Sequence, residues 1–157
     1  MVNGDRNKLI YYLCNSRGKA DTSCFKNRKV AQKKVYLLQA LELNMNYAFG
    51  WYLYGPYSPE LTVDLYQKTA LQYQAPETVA PNVLSDDEKV KLKDLDELLE
   101  GIDEKDLDKW LELLASLHMC QTKEKLKERK PNKFSDAEID AAWERLTKKQ
   151  LLKVDDH

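Results

Sequence analysis

Two ionisable side chains fall inside apolar helical stripes, and they are the first candidates for chemistry. At about 100° per residue, Lys34 lands between Leu41 and Leu38, in a stripe shared with Val30, Ala31, Val35 and Leu37. A buried ammonium without a partner is costly. Lys34 must therefore pair, lay its stem along apolar surface with its head in water, or act. As a functional group it would hold a phosphate or carboxylate. As a structural one it would pair with a carboxylate or bond carbonyls near Gly55-Pro56. His118 shares the stripe of Leu107, Leu111 and Leu114. A general base or titrating switch is one use of such a histidine, and a hydrogen-bonded core position is the other. No serine, cysteine or carboxylate is tied to it by spacing.

Other reaction classes lack their residues. His118 and Cys120 are two positions apart, poor for two ligands on one helix face, and Cys14 and Cys24 form no CxxC pair. No metal site is expected. No Gly-rich phosphate loop, HExxH or GxSxG string occurs. Residues 84–112 hold twelve Asp/Glu against five Lys, a density that reads as a solvated face rather than an acid/base pair. The chain is expected to be non-enzymatic and to need no cofactor. Three cysteines are an odd and sparse set, which fits a reducing cytoplasm. No apolar run approaches the roughly 18 residues of a membrane span, and the start carries no basic-then-apolar leader pattern.

Binding chemistry has more behind it. Five aromatic side chains crowd the nine residues from Phe49 to Tyr57, ending in Gly55-Pro56-Tyr57-Ser58-Pro59. Phe49, Trp51 and Leu53 are expected in the core. Tyr52, Tyr54 and Tyr57 are expected at a contact surface framed by Gly55, Pro56 and Ser58, with Lys34 beneath. A homodimer closed by exposed tyrosines is one form that contact takes, and an unidentified protein partner is the other. Charge supplies an alternative. Residues 1–50 hold nine Lys/Arg against three Asp/Glu, net +6, while residues 51–157 hold sixteen against twenty-three, net −7. Arg17, Lys19, Lys26, Arg28, Lys29 and Lys33 cluster before and along one helix. They would suit the phosphates of double-stranded DNA in a winged-helix-like regulator. A loop that is long for a helix-turn-helix and a slightly acidic whole chain argue against it.

The elements that must position these residues are mostly helical. A length of 157 residues suits a single domain over 1–157, with a motif core of about 5–73 and a C-terminal helical part of about 85–152. Only five glycines and five prolines disfavour a turn-rich all-β chain. The expected class is mostly α with a small β element, α+β, as a compact helical domain of five or six helices with winged-helix-like elements. Helices are expected over 5–16 and 26–43, with Asn44 and Asn46 at the second exit. An alternating strand follows over 47–54, and Gly55-Pro56 turns the chain. Ser58 caps the next helix and Pro59 takes its first position, with the helix running to about Tyr73. Thr78-Val79-Ala80 would pair with the strand. Ser85-x-x-Glu88 and Ser135-x-x-Glu138 are capping boxes, and Asp103-x-x-Asp106 is a weaker start. The Lys-rich segment from Thr122 to Phe134, broken by Pro131, reads as a connection.

The stretch from Gln32-Lys33-Lys34-Val35-Tyr36-Leu37-Leu38-Gln39 to Tyr52-Leu53-Tyr54-Gly55-Pro56-Tyr57-Ser58-Pro59-Glu60-Leu61 resembles the uncharacterised prokaryotic YwgA-like proteins. More distantly it is similar to the Panacea (SocA-like antitoxin) domains. The Gly-Pro-Tyr-Ser-Pro-Glu-Leu string is the specific part, and the match covers about residues 28–66. The resemblance implies a helical domain with winged-helix-like elements and no enzyme fold, acting through protein contacts in a regulatory or antitoxin-like role. It marks Lys34, Tyr36, Tyr54, Gly55, Pro56 and Ser58 as motif positions. Tyr57-Ser58 after the Gly-Pro and the long acidic helix at 85–101 depart from the Panacea pattern.

Overall fold

The computed structural model describes residues 2–18, 25–72 and 83–153, without the side chains of 25–26 and 68–72. The fold is mostly α with two small β ladders, seven α-helices and four short strands among the described residues. In chain order these are β1 (Val2–Asn3), a 3-10 turn (Arg6–Lys8), α1 (Leu9–Cys14), α2 (Phe25–Ala40), β2 (Leu43–Asn44), β3 (Gly50–Tyr52) and β4 (Gly55–Tyr57). Then come α3 (Pro59–Gln72), α4 (Asp86–Leu98), a 3-10 turn (Glu104–Asp106), α5 (Leu107–Cys120), α6 (Lys123–Arg129) and α7 (Asp136–Lys148).

Helix α5 is central, packed on α2, α6, α7 and β4. All seven residues from Leu111 to Leu117 are buried, the polar Glu112 and Ser116 among them, as a helix packed on several sides requires. Leu9 and Leu13 of α1, Val35 and Leu38 of α2, Leu61 of α3, Leu95 of α4 and Leu146 of α7 join it in one continuous core. Glu88 ties α1 to α4. Its carboxylate closes the α4 capping box on the Ser85 N–H at 2.8 Å, meets Lys8 at 2.9 Å and accepts from the Tyr12 hydroxyl.

Helix starts follow their local chemistry. Ser85 and Ser135 form complete capping boxes with Glu88 and Glu138. Ser58 Oγ accepts from the Leu61 N–H at 3.2 Å, with Pro59 at the first helical position. Asp103 makes no side-chain cap, and a 3-10 turn leads into α5 instead. Thr122 caps α6 through the Lys125 N–H at 3.1 Å. The segment expected as a connection therefore holds a short helix. The exit of α2 comes earlier than expected, at Ala40, where Glu42 takes a left-handed φ of +76°, and Asn46 takes a second one of +61° after β2.

The aromatic run is a hairpin and not one strand. β3 and β4 pair antiparallel, Gly50 with Tyr57, Trp51 with Pro56 and Tyr52 with Gly55, so the chain reverses at Leu53-Tyr54. Neither loop residue has a positive φ, and Gly55 at +95° supplies the left-handed position that follows such a turn. A Cβ on Gly55 would also run into Ser116 Oγ of α5. Gly55-Pro56 is therefore the start of the second strand rather than the turn. Leu53, expected in the core, is 81% exposed at the tip. Phe49 and Trp51 are half-buried against the core. After α2 the chain runs through β2, paired with β1, into the two-stranded hairpin of β3 and β4. The proposed strand at Thr78-Val79-Ala80 lies outside the described residues, as does the end of α3 near Tyr73.

Candidate functional site

The hairpin is fastened to the helices by buried charge. Glu112 sits buried mid-way along α5 between Leu111 and Leu113, so its carboxylate must find cations. Three reach it: Lys29 of α2 at 3.0 Å, Lys130 after α6 at 2.9 Å and Lys133 beyond Pro131 at 2.9 Å. Burial pushes the Glu112 carboxyl up, but hydrogen bonds from Lys133, Lys130 and Lys29 outweigh it and hold it down at about 2. Lys130 also donates to the Leu53 carbonyl at 3.2 Å, and buried Lys33 donates to the Pro56 carbonyl at 2.6 Å. Burial lowers the Lys33 ammonium to about 8; attraction to Glu112 is offset by repulsion from Lys29, Lys130 and Lys133. Two ammonium groups thus hold both sides of the hairpin loop by its carbonyls.

Gln32 fixes the other end of the hairpin. Its amide accepts from the Ser58 N–H and donates to the Ser58 carbonyl, both at 2.9 Å, and donates to Thr62 Oγ at 2.8 Å. The entry to α3 is thereby locked onto α2.

Between α2, the hairpin and α3 lies a cleft of about 340 Å³, within the range that takes a small ligand or a few side chains. From α2 come Arg28, Lys29 and Lys33, from the hairpin Tyr52, Tyr54 and Tyr57, and from α3 Tyr66. Tyr52 is 50% exposed and Tyr66 55%. The Tyr52 and Tyr57 rings meet edge to face at 5.0 Å. Arg28 lies 4.7 Å over Tyr66, and Tyr54 is flanked by Lys29 at 4.6 Å and Lys133 at 5.6 Å. A larger groove of about 720 Å³ runs along the end of α4 and α7, where two of its three cations are engaged. Lys149 pairs with Glu97 and Asp94, and Arg145 donates to the Leu98 and Glu100 carbonyls.

The expected site residues divide. Tyr52, Tyr54 and Tyr57 line the cleft. Gly55, Pro56 and Ser58 are buried and shape the hairpin from within rather than offering contacts. Lys34 does not support the Gly55-Pro56 segment. It donates to the Leu13 carbonyl at 2.9 Å, in the last turn of α1, where unsatisfied carbonyls favour a cation. Burial lowers it to about 8, partly offset by Asp96. The neighbouring Lys33 takes the role expected of Lys34. His118 Nδ1 shares a 2.6 Å hydrogen bond with the Tyr36 hydroxyl, and burial lowers its ionisation.

The basic set does not form one outward array. Arg17 is turned onto the Leu99 and Ile102 carbonyls and Glu104, Lys29 onto Glu112, and Lys33 onto Pro56. Lys33, expected on a polar face, is 2% exposed. Lys19 and the side chain of Lys26 lie outside the described residues. Arg28 stays at the cleft. No group of three or more His, Cys, Asp or Glu side chains gathers as a metal ion would need, and no helix is long and apolar enough to cross a membrane, among the described residues.

Glu112, Lys130, Lys133, Gln32 and Tyr66 were not singled out from the sequence. Glu112 had one local signal, a lone charge inside Leu111-Glu112-Leu113-Leu114-Ala115-Ser116-Leu117. Its place at the edge of an acidic run hid that. In comparisons with protein-family models, curated proteins and solved structures, nothing matches this chain.

Proposed function

We propose that the chain is a non-enzymatic interaction module that captures a protein partner at the hairpin tip and the adjoining cleft. The observation carrying this reading is a set of outward apolar side chains on a rigid mount. Tyr52, Leu53 and Tyr66 are at least half exposed, while the hairpin bearing two of them is fixed by Lys130 and Lys33 to the helical core. Large side chains held in place lose little entropy on binding, which favours them as anchors. Phosphate binding by the basic set has less support, because Arg17, Lys29 and Lys33 are engaged inside the protein.

A photo-crosslinking residue at Leu53 tests the reading in cells that produce the protein. A discrete crosslinked protein should form, and it should vanish when Tyr52→Ala and Tyr66→Ala are combined in a protein with an unchanged circular dichroism spectrum. Crosslinking that is absent, or indifferent to the double substitution, removes the proposal.

A further inference from the structure

The large apolar side chains left exposed among the described residues gather on one face. Tyr52, Leu53 and Tyr54 belong to the hairpin and Val63 and Tyr66 to α3, against Val83 and Val90 around the start of α4. Tyr52 and Tyr66 share the cleft, and Val63 stands one turn from Tyr66. This face carries a knob and a hole side by side. Leu53 is the knob, standing out at the cleft's rim, and the Lys130 bond to its carbonyl keeps the tip in place. The hole is the cleft itself, walled by the rings of Tyr52, Tyr57 and Tyr66 and roomy enough for a leucine side chain. On its α2 side, Lys29 is engaged by Glu112 and Lys33 by the Pro56 carbonyl, while Arg28 lies over the Tyr66 ring. The cleft therefore suits an apolar side chain rather than a charged one.

We infer that this face closes an isologous contact with a second copy of the chain, Leu53 of each copy entering the cleft of the other between Tyr52 and Tyr66. The inference rests on the interaction-module reading and names the partner. A two-fold contact needs both complementary shapes on one patch, so that each copy gives what it receives, and here the knob adjoins the hole. Tyr52, Leu53, Val63 and Tyr66 are each at least half exposed. They offer roughly 500 Å² of open surface, since an aromatic side chain has about 150–250 Å² to bury. Two such faces together reach the total of about 1,000 Å² that marks a specific contact, before any polar rim is added. A net charge of −1 lets two copies meet without appreciable overall repulsion. Each copy closes its own core, so the contact should be reversible and release folded monomers on dilution.

Sedimentation equilibrium of the purified full chain, from sub-micromolar to high micromolar concentration, tests this. The mass should reach two chains at the upper end. Leu53→Ala and Tyr66→Ala, with unchanged circular dichroism, should each raise the dissociation constant by about tenfold or more, because every substitution counts twice in a symmetric dimer. In a mixture of isotopically heavy and light chains, a photo-crosslinking residue at Leu53 should join one copy to the other at the cleft, on the hairpin or α3. A dimer indifferent to either substitution, or a crosslink that maps away from the hairpin and α3, would overturn the contact. A chain that stays monomeric while capturing a different protein at Leu53 would overturn the second copy and leave the module reading standing. A monomer with no crosslink in cells would remove both.

Discussion

Lys130 Nζ stands 2.9 Å from Glu112 Oε2 and 3.2 Å from the Leu53 carbonyl oxygen, so one ammonium joins the buried carboxylate to the hairpin tip. Replacing Glu112 by Gln leaves that ammonium buried without its counter-charge. Breaking a buried pair from one side typically costs about 3–5 kcal/mol, and Glu112→Gln should lose that much in urea denaturation. Lys29 and Lys133 reach water more easily than Lys130, whose side chain is only 5% exposed. The double change Glu112→Leu with Lys130→Met should therefore recover much of the loss, since a matched apolar pair leaves no uncompensated charge. A double variant as unstable as the single one would contradict this account.

The close approach of Gly55 to α5 makes a second prediction. Gly55→Ala meets both a φ of +95° and the Ser116 hydroxyl, and should destabilise by about 1–3 kcal/mol. Ser116 Oγ is buried with no hydrogen-bond partner among the described residues. Ser116→Ala should be neutral or stabilising by up to about 1 kcal/mol. Ser116→Gly should rescue part of the Gly55→Ala loss, because it relieves the clash and leaves the backbone strain. The coupling in a double-mutant cycle measures the clash alone.

Stability should depend on pH at both ends. Glu112 and Glu88 are held at about 2 in the folded chain against an ordinary 4.5. Their contribution is present above about 4.5 and is lost as pH falls through about 2, since the unfolded chain takes up protons first. Lys33 and Lys34 are lowered by burial to about 8 against 10.5. Above about 8 the folded chain releases these protons while the unfolded chain keeps them, so their contribution rises with pH up to about 10.5. Cys14 and Cys120 are raised by burial and act in the opposite sense over the same range, so the difference between proteins carries the test. From about pH 8 to 9.5, below ordinary tyrosine ionisation, denaturation midpoints should rise more, or fall less, in the parent chain than in Lys34→Met, and parallel profiles would contradict a buried titrating Lys34.

Local chemistry made part of this legible. The Ser85 and Ser135 boxes, the Ser58-Pro59 start and the apolar stripes are written within a few consecutive residues, and each is found where expected. The hairpin was missed because period-two alternation runs on through Leu53-Tyr54 and Gly-Pro reads as a turn. The left-handed φ of Gly55 and the position of Ser116 together explain why glycine stands at 55. The Glu112 cluster joins residues 29, 112, 130 and 133, separations no local pattern records. Lys33 stands where Lys34 was expected for a related reason. Adjacent helical positions differ by about 100°, and which one meets the hairpin depends on where the hairpin lies.

The tyrosines at the cleft should separate by their surroundings. Tyr52, half exposed, meets Tyr57 edge to face, and Tyr66 stacks with Arg28. Tyr66→Ala should change stability by no more than about 0.5 kcal/mol, as exposed substitutions do. Tyr54 lies between Lys29 and Lys133, two of the three lysines that hold Glu112. Removing its ring strips a cation–π contact from both, so Tyr54→Ala should cost about 1 kcal/mol or more. The loss should shrink in a Glu112→Gln background, where those lysines are released from the carboxylate. Thermal melts of the four proteins decide the point, and equal losses in both backgrounds would mean that Tyr54 stands apart from the charge cluster.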